Sequence, residues 1–186
     1  MDLVKVVHEV LLMPPRCGIT HVLAIDGRAG SGKTTLASDL FLALSVKSPV
    51  SLVHMDEIYG GWDCALGESL SKRLSNLLED LSRGKSHQLP VYDWNAKAFN
   101  SHRTITPTRI LILEGVGSAQ RIVREFATVT FWLDIDSETG LTRVLERDGK
   151  ISKPFMSQWQ ADEDEHHRRE KTRESADFVL STIQPF

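Results

Sequence analysis

The sequence predicts an α/β protein with three layers and a sheet of five parallel strands, and three observations carry that prediction. Short apolar runs alternate with helix-periodic stretches along the 186 residues, the pattern of successive βαβ units. One run, Arg109–Glu114 (RILILE), is nearly all apolar, as a strand covered on both faces must be. A glycine-rich turn stands between the apolar run HVLAID and a periodic helical stretch, giving strand, turn and helix in order.

Each element follows from its own residues. Leu3, Val7, Val10 and Leu11 fall near one face of a short helix within residues 1–13, which Pro14-Pro15 stops. His21–Asp26 is the first strand. Lys33–Ser45 is a helix, with Leu36, Leu40 and Leu44 in register. Ser51–Met55 (SLVHM) is the second strand. Leu66–Arg83 repeats Leu66, Leu70, Leu74, Leu77, Leu78 and Leu81 at helical spacing. Residues 84–108, with Pro90 and Pro107, are expected to be the least regular stretch, of a kind that carries binding residues on a rigid scaffold. After Arg109–Glu114 come a helix over Gly117–Phe126 and a strand over Val129–Asp134 (VTFWLD). Ser137–Arg147 is a helix with Ser137 as its cap. Met156–Ser175 is a long charged helix, and Asp177–Thr182 an edge strand. In the long helix, Asp162–His166, Glu163–His167, Asp164–Arg168 and Glu165–Arg169 place acid before base at i,i+4, which reads as a solvated face. No repeat, linker or low-complexity tract interrupts the pattern, so residues 1–186 are expected to form one domain.

Composition narrows the function classes. Hydrophobic residues make up 41% and charged residues 25%, and 25 acids against 22 bases leave a net charge of -3. That balance argues against coating a nucleic acid polymer or an anionic membrane. The N-terminal apolar run is broken by Lys5, His8 and Glu9 and no small-residue cleavage site follows, so neither a signal peptide nor a membrane span is expected. Cys17 and Cys64 are far apart and lack metal-site spacing, which suits a reducing cytoplasm. A homo-oligomer is compatible with all of this.

Gly27-Arg28-Ala29-Gly30-Ser31-Gly32-Lys33-Thr34 fits GxxxxGK[ST], the phosphate loop of the P-loop NTPase fold. Glycines let backbone amides turn inward and approach a phosphate chain closely. The following helix points its positive end at the same place. Lys33 adds a charge for the β- and γ-phosphates, and the Thr34 hydroxyl can ligate Mg²⁺. Residues 27–35, ending in Thr35, are thus the candidate ATP-binding segment. A GTPase would need Asn-Lys-x-Asp to read guanine; the nearest string, Asn95-Ala96-Lys97-Ala98, lacks the acid and the spacing. A small kinase remains.

The strings DGRAGSGKTTLA, MDEIYGGWD, PVYDW, ILILEGVG and RVLERD, in that order, resemble the uridine kinase and phosphoribulokinase group of P-loop kinases. The likeness covers roughly residues 20–180 and implies a short helical lid at about 143–160. Asp56-Glu57-Ile58-Tyr59 matches the family's Asp-x-Phe-Tyr element, which implies that Asp56 accepts the proton of the attacking hydroxyl. One of Asp56 and Glu57 is expected to face away, because neighbours in an extended segment point oppositely. Glu114 matches the strand-Glu-Gly element, which implies a carboxylate holding a Mg²⁺-bound water, reaching the acceptor or anchoring the loop; Asp56 would share the metal through water. Tyr92-Asp93-Trp94 resembles Tyr-Asp-Phe at the family's acceptor site, with Asp93 either meeting acceptor hydroxyls or pairing with Arg103. Tyr59, Asp63, Tyr92, Asp93 and Arg103 are the candidate acceptor residues, and Trp62 a candidate stacking partner. Arg143 and Arg147 resemble the lid, with Arg147 placed to neutralise charge during transfer. Trp159 is expected to pack the long helix onto the base of the lid.

The resemblance implies a Mg²⁺- and ATP-dependent kinase of a small-molecule hydroxyl, a nucleoside such as uridine. The acceptor segment departs from the family after Trp94, where His102 and Arg103 come later than the family's His and Arg. Two alternatives stay open: a kinase of a nucleoside monophosphate, sugar or vitamin precursor, the first of which needs an arginine cluster with Arg73 and Arg103 as candidates, and a regulatory protein that binds ATP without turnover.

Overall fold

The computed structural model describes residues 3–62, 65–149 and 153–181. A central sheet holds β1 (His21–Gly27), β2 (Val50–His54), β5 (Ile110–Glu114), β6 (Ala127–Asp134) and β7 (Phe178–Ser181) in the order β2-β5-β1-β6-β7. Every pairing in it is parallel. The strand alternation explains how two cores form. Val22 and Ala24 point to one face, Leu23 and Ile25 to the other. In β5, Leu111 and Leu113 take the first face and Ile110 and Ile112 the second. The second face is covered by α1 (Leu3–Val10), through Val7, and by α2 (Lys33–Ser45), through Leu36, Leu40 and Leu44. The first is covered by α3 (Glu68–Ser82), whose leucines at 70, 74, 77, 78 and 81 are all buried, and by Met156 and Trp159 of α6 (Lys153–Glu170).

Residues 84–108 are more regular than expected. They form an antiparallel hairpin, β3 (His87–Asp93) with β4 (Ala98–Ile105), from His87 opposite Ile105 to Asp93 opposite Ala98. Leu89 and Ile105 anchor it to the core, while most of β4 is exposed, so no alternation of apolar residues announced the strands. The helix expected over Gly117–Phe126 contracts to one turn, α4 (Arg121–Arg124). The preceding segment is held as a loop because Gly117 has φ +82° and Asp26 takes the amides of Gly117 and Ala119. In α5 (Ser137–Asp148) the cap is Asp136 rather than Ser137: its carboxylate accepts from Thr139 N at 2.8 Å and Thr139 Oγ1 at 2.7 Å.

The charged run on α6 is a solvated face only in part: Glu165 and Arg168 are exposed and pair within the helix, but its other edge is buried. Glu163 and His166 are each only 1% exposed, and Asp164 pairs with Arg28 of the phosphate loop instead of Arg168. Charge periodicity counts partners within a helix and is blind to partners 134 residues away. Among the described residues no helix is long and apolar enough to cross a membrane. Cys17 is unpaired and buried, and burial pushes its thiol up to about 11; Cys64 lies outside the described residues.

Candidate active site

β1 ends in the loop because Gly27 can adopt φ +144°, and because a Cβ there would meet Leu133 O at 2.5 Å. The chain then climbs through Gly30 and Gly32, both left-handed, into α2, whose first amides have no intrahelical acceptor. Lys33 is buried and its Nζ donates to Gly27 O at 2.8 Å and Arg28 O at 2.7 Å, lying across the mouth of the cradle. A cleft of about 420 Å³ opens at the C-terminal edge of the sheet, the edge where α/β sheets take ligands. Ala29, Gly30, Gly32, Lys33, Thr34 and Thr35 form its floor. Arg143 and Arg147, one turn apart on α5, line it as well. Gly27, Arg28 and Ser31 stand behind that surface: Ser31 Oγ is buried beneath Gly27, and the Arg28 guanidinium turns outward to Asp164.

Three acidic and hydroxyl groups meet beyond the floor. The Thr34 hydroxyl donates to Glu114 at 3.3–3.4 Å, and Glu114 also meets His54 Nδ1 at 2.5 Å. The Glu114 contact is the first cause that raises the His54 imidazole above its ordinary range. Asp56 follows β2 in a 3-10 turn over Met55–Glu57 and lines the cleft. Its side chain opens to the cleft's solvent, yet protein crowds its other sides. That desolvation, and then the negative Glu114, raise its carboxyl above the usual range against the pull of Lys33 and Arg147. Glu57 turns away and pairs with Arg103 at 3.0 Å.

The far wall is aromatic. Tyr59, Trp62, Trp94 and Trp159 all line the cleft. Trp62 lies 5.3 Å from Trp94 and 5.5 Å from Trp159, and Trp159 lies 5.5 Å from Tyr59. Two polar tips are already committed: Tyr59 OH donates to Val116 O and Trp94 Nε1 to Asp56 O. Tyr92 backs Trp94 from outside, with ring centroids 5.2 Å apart. Asp93 is a turn former: its carboxylate accepts from Asn95 N, Ala96 N and Asn100 Nδ2, neither facing the cleft nor pairing with Arg103. Arg103 donates to Leu52 O from β4, under the hairpin. Asp63 lies outside the described residues.

The sequence reading missed the groups that brace the loop. Asp26, fully buried, accepts from Gly27 N at 2.7 Å, Gly117 N at 3.0 Å and Ala119 N at 2.9 Å, and His167 Nε2 lies 3.6 Å from it. Burial disfavours its charge, but the imidazole and those amides outweigh burial and hold the carboxyl below the ordinary aspartate range. Glu163 accepts from Ala29 N at 2.5 Å. An acid one residue before the end of β1, directly before the first glycine of the loop, was the one signal available for Asp26.

The family model described as Phosphoribulokinase / Uridine kinase family matches residues 69–161. Over 182 residues the chain is 27% identical to a uridine kinase of Macrococcus caseolyticus, covering 87% of each. Over 147 residues it is 29% identical to a uridine kinase of Staphylococcus aureus, covering 70% of each. Solved structures share its fold, two of them over nearly the whole chain. One is described as a possible uridine kinase from Bacillus stearothermophilus, with TM-score 0.69, 23% identity and coverage of 97% of this chain and 100% of that one. The other, a provisionally assigned fructose transport system kinase from Silicibacter, gives 0.71 and 20%, over 97% of this chain and 99% of that one. With half its length inside one family model and both a phosphate loop and its strand order in place, this chain belongs to the phosphoribulokinase / uridine kinase family of P-loop kinases.

Proposed function

We propose that this P-loop kinase transfers the γ-phosphoryl group of ATP to a hydroxyl of a small acceptor carrying a flat ring, a nucleoside such as uridine. The observation that carries the reading is the position of Asp56, which lines the same cleft as the phosphate loop and the indoles of Trp62, Trp94 and Trp159, feels the charge of Lys33 and accepts from Trp94 Nε1 at its backbone oxygen. A ring stacked on those indoles would present a hydroxyl toward the carboxylate.

The site's own residues account for the chemistry. Lys33 and the first-turn amides of α2 bind the phosphates. Asp56 orients the acceptor hydroxyl and takes its proton as the oxygen attacks; the new oxygen–phosphorus bond forms as the bond to the β-phosphate oxygen breaks, and ADP leaves. Arg143 and Arg147 neutralise the moving charge. Thr34, Glu114 and Asp56 offer only oxygen, the donor set Mg²⁺ prefers. Among the described residues no three His, Cys, Asp or Glu side chains converge as a cage, which suits a cation that keeps its waters and rests on one or two carboxylates and the substrate's phosphates. Bound there, Mg²⁺ would neutralise phosphate charge. The proposed setting is the cytoplasm, where ATP is at hand and the thiol of Cys17 stays unpaired.

A monophosphate acceptor is disfavoured, because the two arginines it would need are engaged elsewhere. Arg103 serves Leu52 O and Glu57, and Arg73 donates to Ile58 O and lies over the Phe99 ring. The test is ADP release from Mg²⁺-ATP with a panel of nucleosides, sugars, vitamin precursors and nucleoside monophosphates. Stimulation by nucleosides above the rest is the expected result. Stimulation by sugars alone would reassign the acceptor, and no stimulation by any hydroxyl compound would favour the ATP-binding regulator.

A further inference from the structure

α6 carries the residues that the charge pattern assigned to solvent, and they meet the phosphate loop instead. Glu163 accepts the Ala29 amide, Asp164 pairs with Arg28, and His167 faces Asp26. Three positions within about one turn of one helix thus reach three positions within four residues of loop. Glu163 is 1% exposed, and burying a carboxylate is costly unless it is paired and hydrogen-bonded. Here most of the compensation comes from the loop side: the nearby positive charge of Lys33, the Ala29 amide and Arg28 NH1 at 4.0 Å, with His167 of α6 itself adding to it. Glu163 does not line the cleft, so it cannot be there to touch a substrate.

We propose that Glu163 is a positioning residue for the phosphate loop: by accepting the Ala29 amide it fixes the backbone of the cradle from behind, and so strengthens the grip on ATP without contacting it. A loop of glycines is soft, and its amides bind a phosphate well only when already aimed. The acceptor oxygen matters for this role and the negative charge does not, since a charge behind the cradle repels a triphosphate. Trp159, one turn earlier on the same face of α6, lines the cleft, so the helix that aims the loop also supplies part of the acceptor wall.

The inference rests on reading residues 27–35 as the ATP cradle, and the experiment separates the two. Calorimetry with Mg²⁺-ATP and steady-state kinetics are run on the unaltered chain, Glu163→Met, Glu163→Gln and Glu163→Asp. Methionine fills the space without an acceptor oxygen; glutamine keeps the oxygen without the charge; aspartate keeps the charge but withdraws it by one methylene. Glu163→Met is expected to weaken ATP binding and raise KM for ATP about tenfold, the scale of leaving one buried amide without its acceptor, with the acceptor KM within twofold. Glu163→Gln is expected to stay within about threefold of the unaltered chain. Equal ATP affinity in Glu163→Met, or equal damage in Glu163→Gln and Glu163→Met, overturns the proposal. So does a rise in both KM values together, which is what a merely structural staple would give. If Glu163→Met does not fold, the order decides: glutamine binding ATP more tightly than aspartate supports the proposal, and the reverse overturns it. No ATP binding by the unaltered chain would remove the cradle reading and this inference with it.

Discussion

Replacing Gly30 by alanine tests whether the phosphate loop and α5 form one packed unit. Gly30 has φ +77°, and an added Cβ would stand 2.2 Å from Gly140 O, 2.9 Å from Gly140 C and 3.0 Å from Gly140 Cα. Those atoms are α5 backbone and cannot rotate aside, so the helix or the loop must shift. Left-handed strain in a residue with a Cβ costs about 1–2 kcal/mol, and overpacking against an immobile neighbour about 1–3 kcal/mol more. The total, about 2–5 kcal/mol, corresponds to a loss of roughly 10 °C in Tm for a chain of this size. Gly32 is the control. Its φ is +91° but a Cβ there would meet nothing within 4 Å, so Gly32→Ala carries the strain alone. Its expected loss is roughly 4 °C. Thermal melts without nucleotide compare the two. Equal losses would refute the claim that contact with α5, rather than φ, dominates at Gly30. Because α5 also carries Arg143 and Arg147, whatever Gly30→Ala protein survives is expected to show reduced kcat as well.

Other outcomes follow from the same geometry. Lys33→Ala is expected to lose the Tm increase that saturating Mg²⁺-ATP gives the unaltered chain, worth about 2.7 kcal/mol at a hundredfold excess over Kd; a retained increase would place ATP elsewhere. Asp56→Asn is expected to keep ATP affinity and lose about a hundredfold or more in kcat, and near-normal turnover would remove Asp56 as the base. Desolvation, and then Glu114, raise the Asp56 carboxyl, and a base works only when ionised. kcat/KM is therefore expected to fall with acidification while pH is still above the ordinary aspartate range, as a profile from about pH 8 to pH 4 would reveal; an acid limb within the ordinary range would contradict the assignment. Trp62→Ala is expected to raise the acceptor KM roughly tenfold and leave the ATP KM alone, the worth of one stacked ring; equal changes in both would dissociate Trp62 from the acceptor.

What the sequence disclosed, and what it hid, divides along a physical line. The sheet was legible because burial on both faces forces continuous apolar runs, and RILILE can be little else than such a strand. The phosphate loop was legible because close backbone approach demands glycines at fixed spacing. Asp56 and Glu57 separated as expected, one into the cleft and one onto Arg103, although they sit in a 3-10 turn rather than the extended segment expected; adjacent residues diverge there too. The hairpin stayed hidden because β4 is nearly all exposed and is held by backbone pairing, which leaves no hydrophobic signature. Asp93 was drawn toward the acceptor by its motif, whereas the turn from β3 to β4 needed a carboxylate to cap its amides. Glu163 and His167 were hidden most deeply, since the run DEDEHHRRE satisfies every local rule for a solvated helix. Only the fold could reveal that the inner edge of that helix lies against the loop. A local pattern can tell which charges are able to pair within a helix, but the choice between that pairing and a distant backbone amide is made by packing. Here packing brings α6 against the one loop whose amides must be held in place, and a buried acid becomes worth its desolvation at that point of the fold.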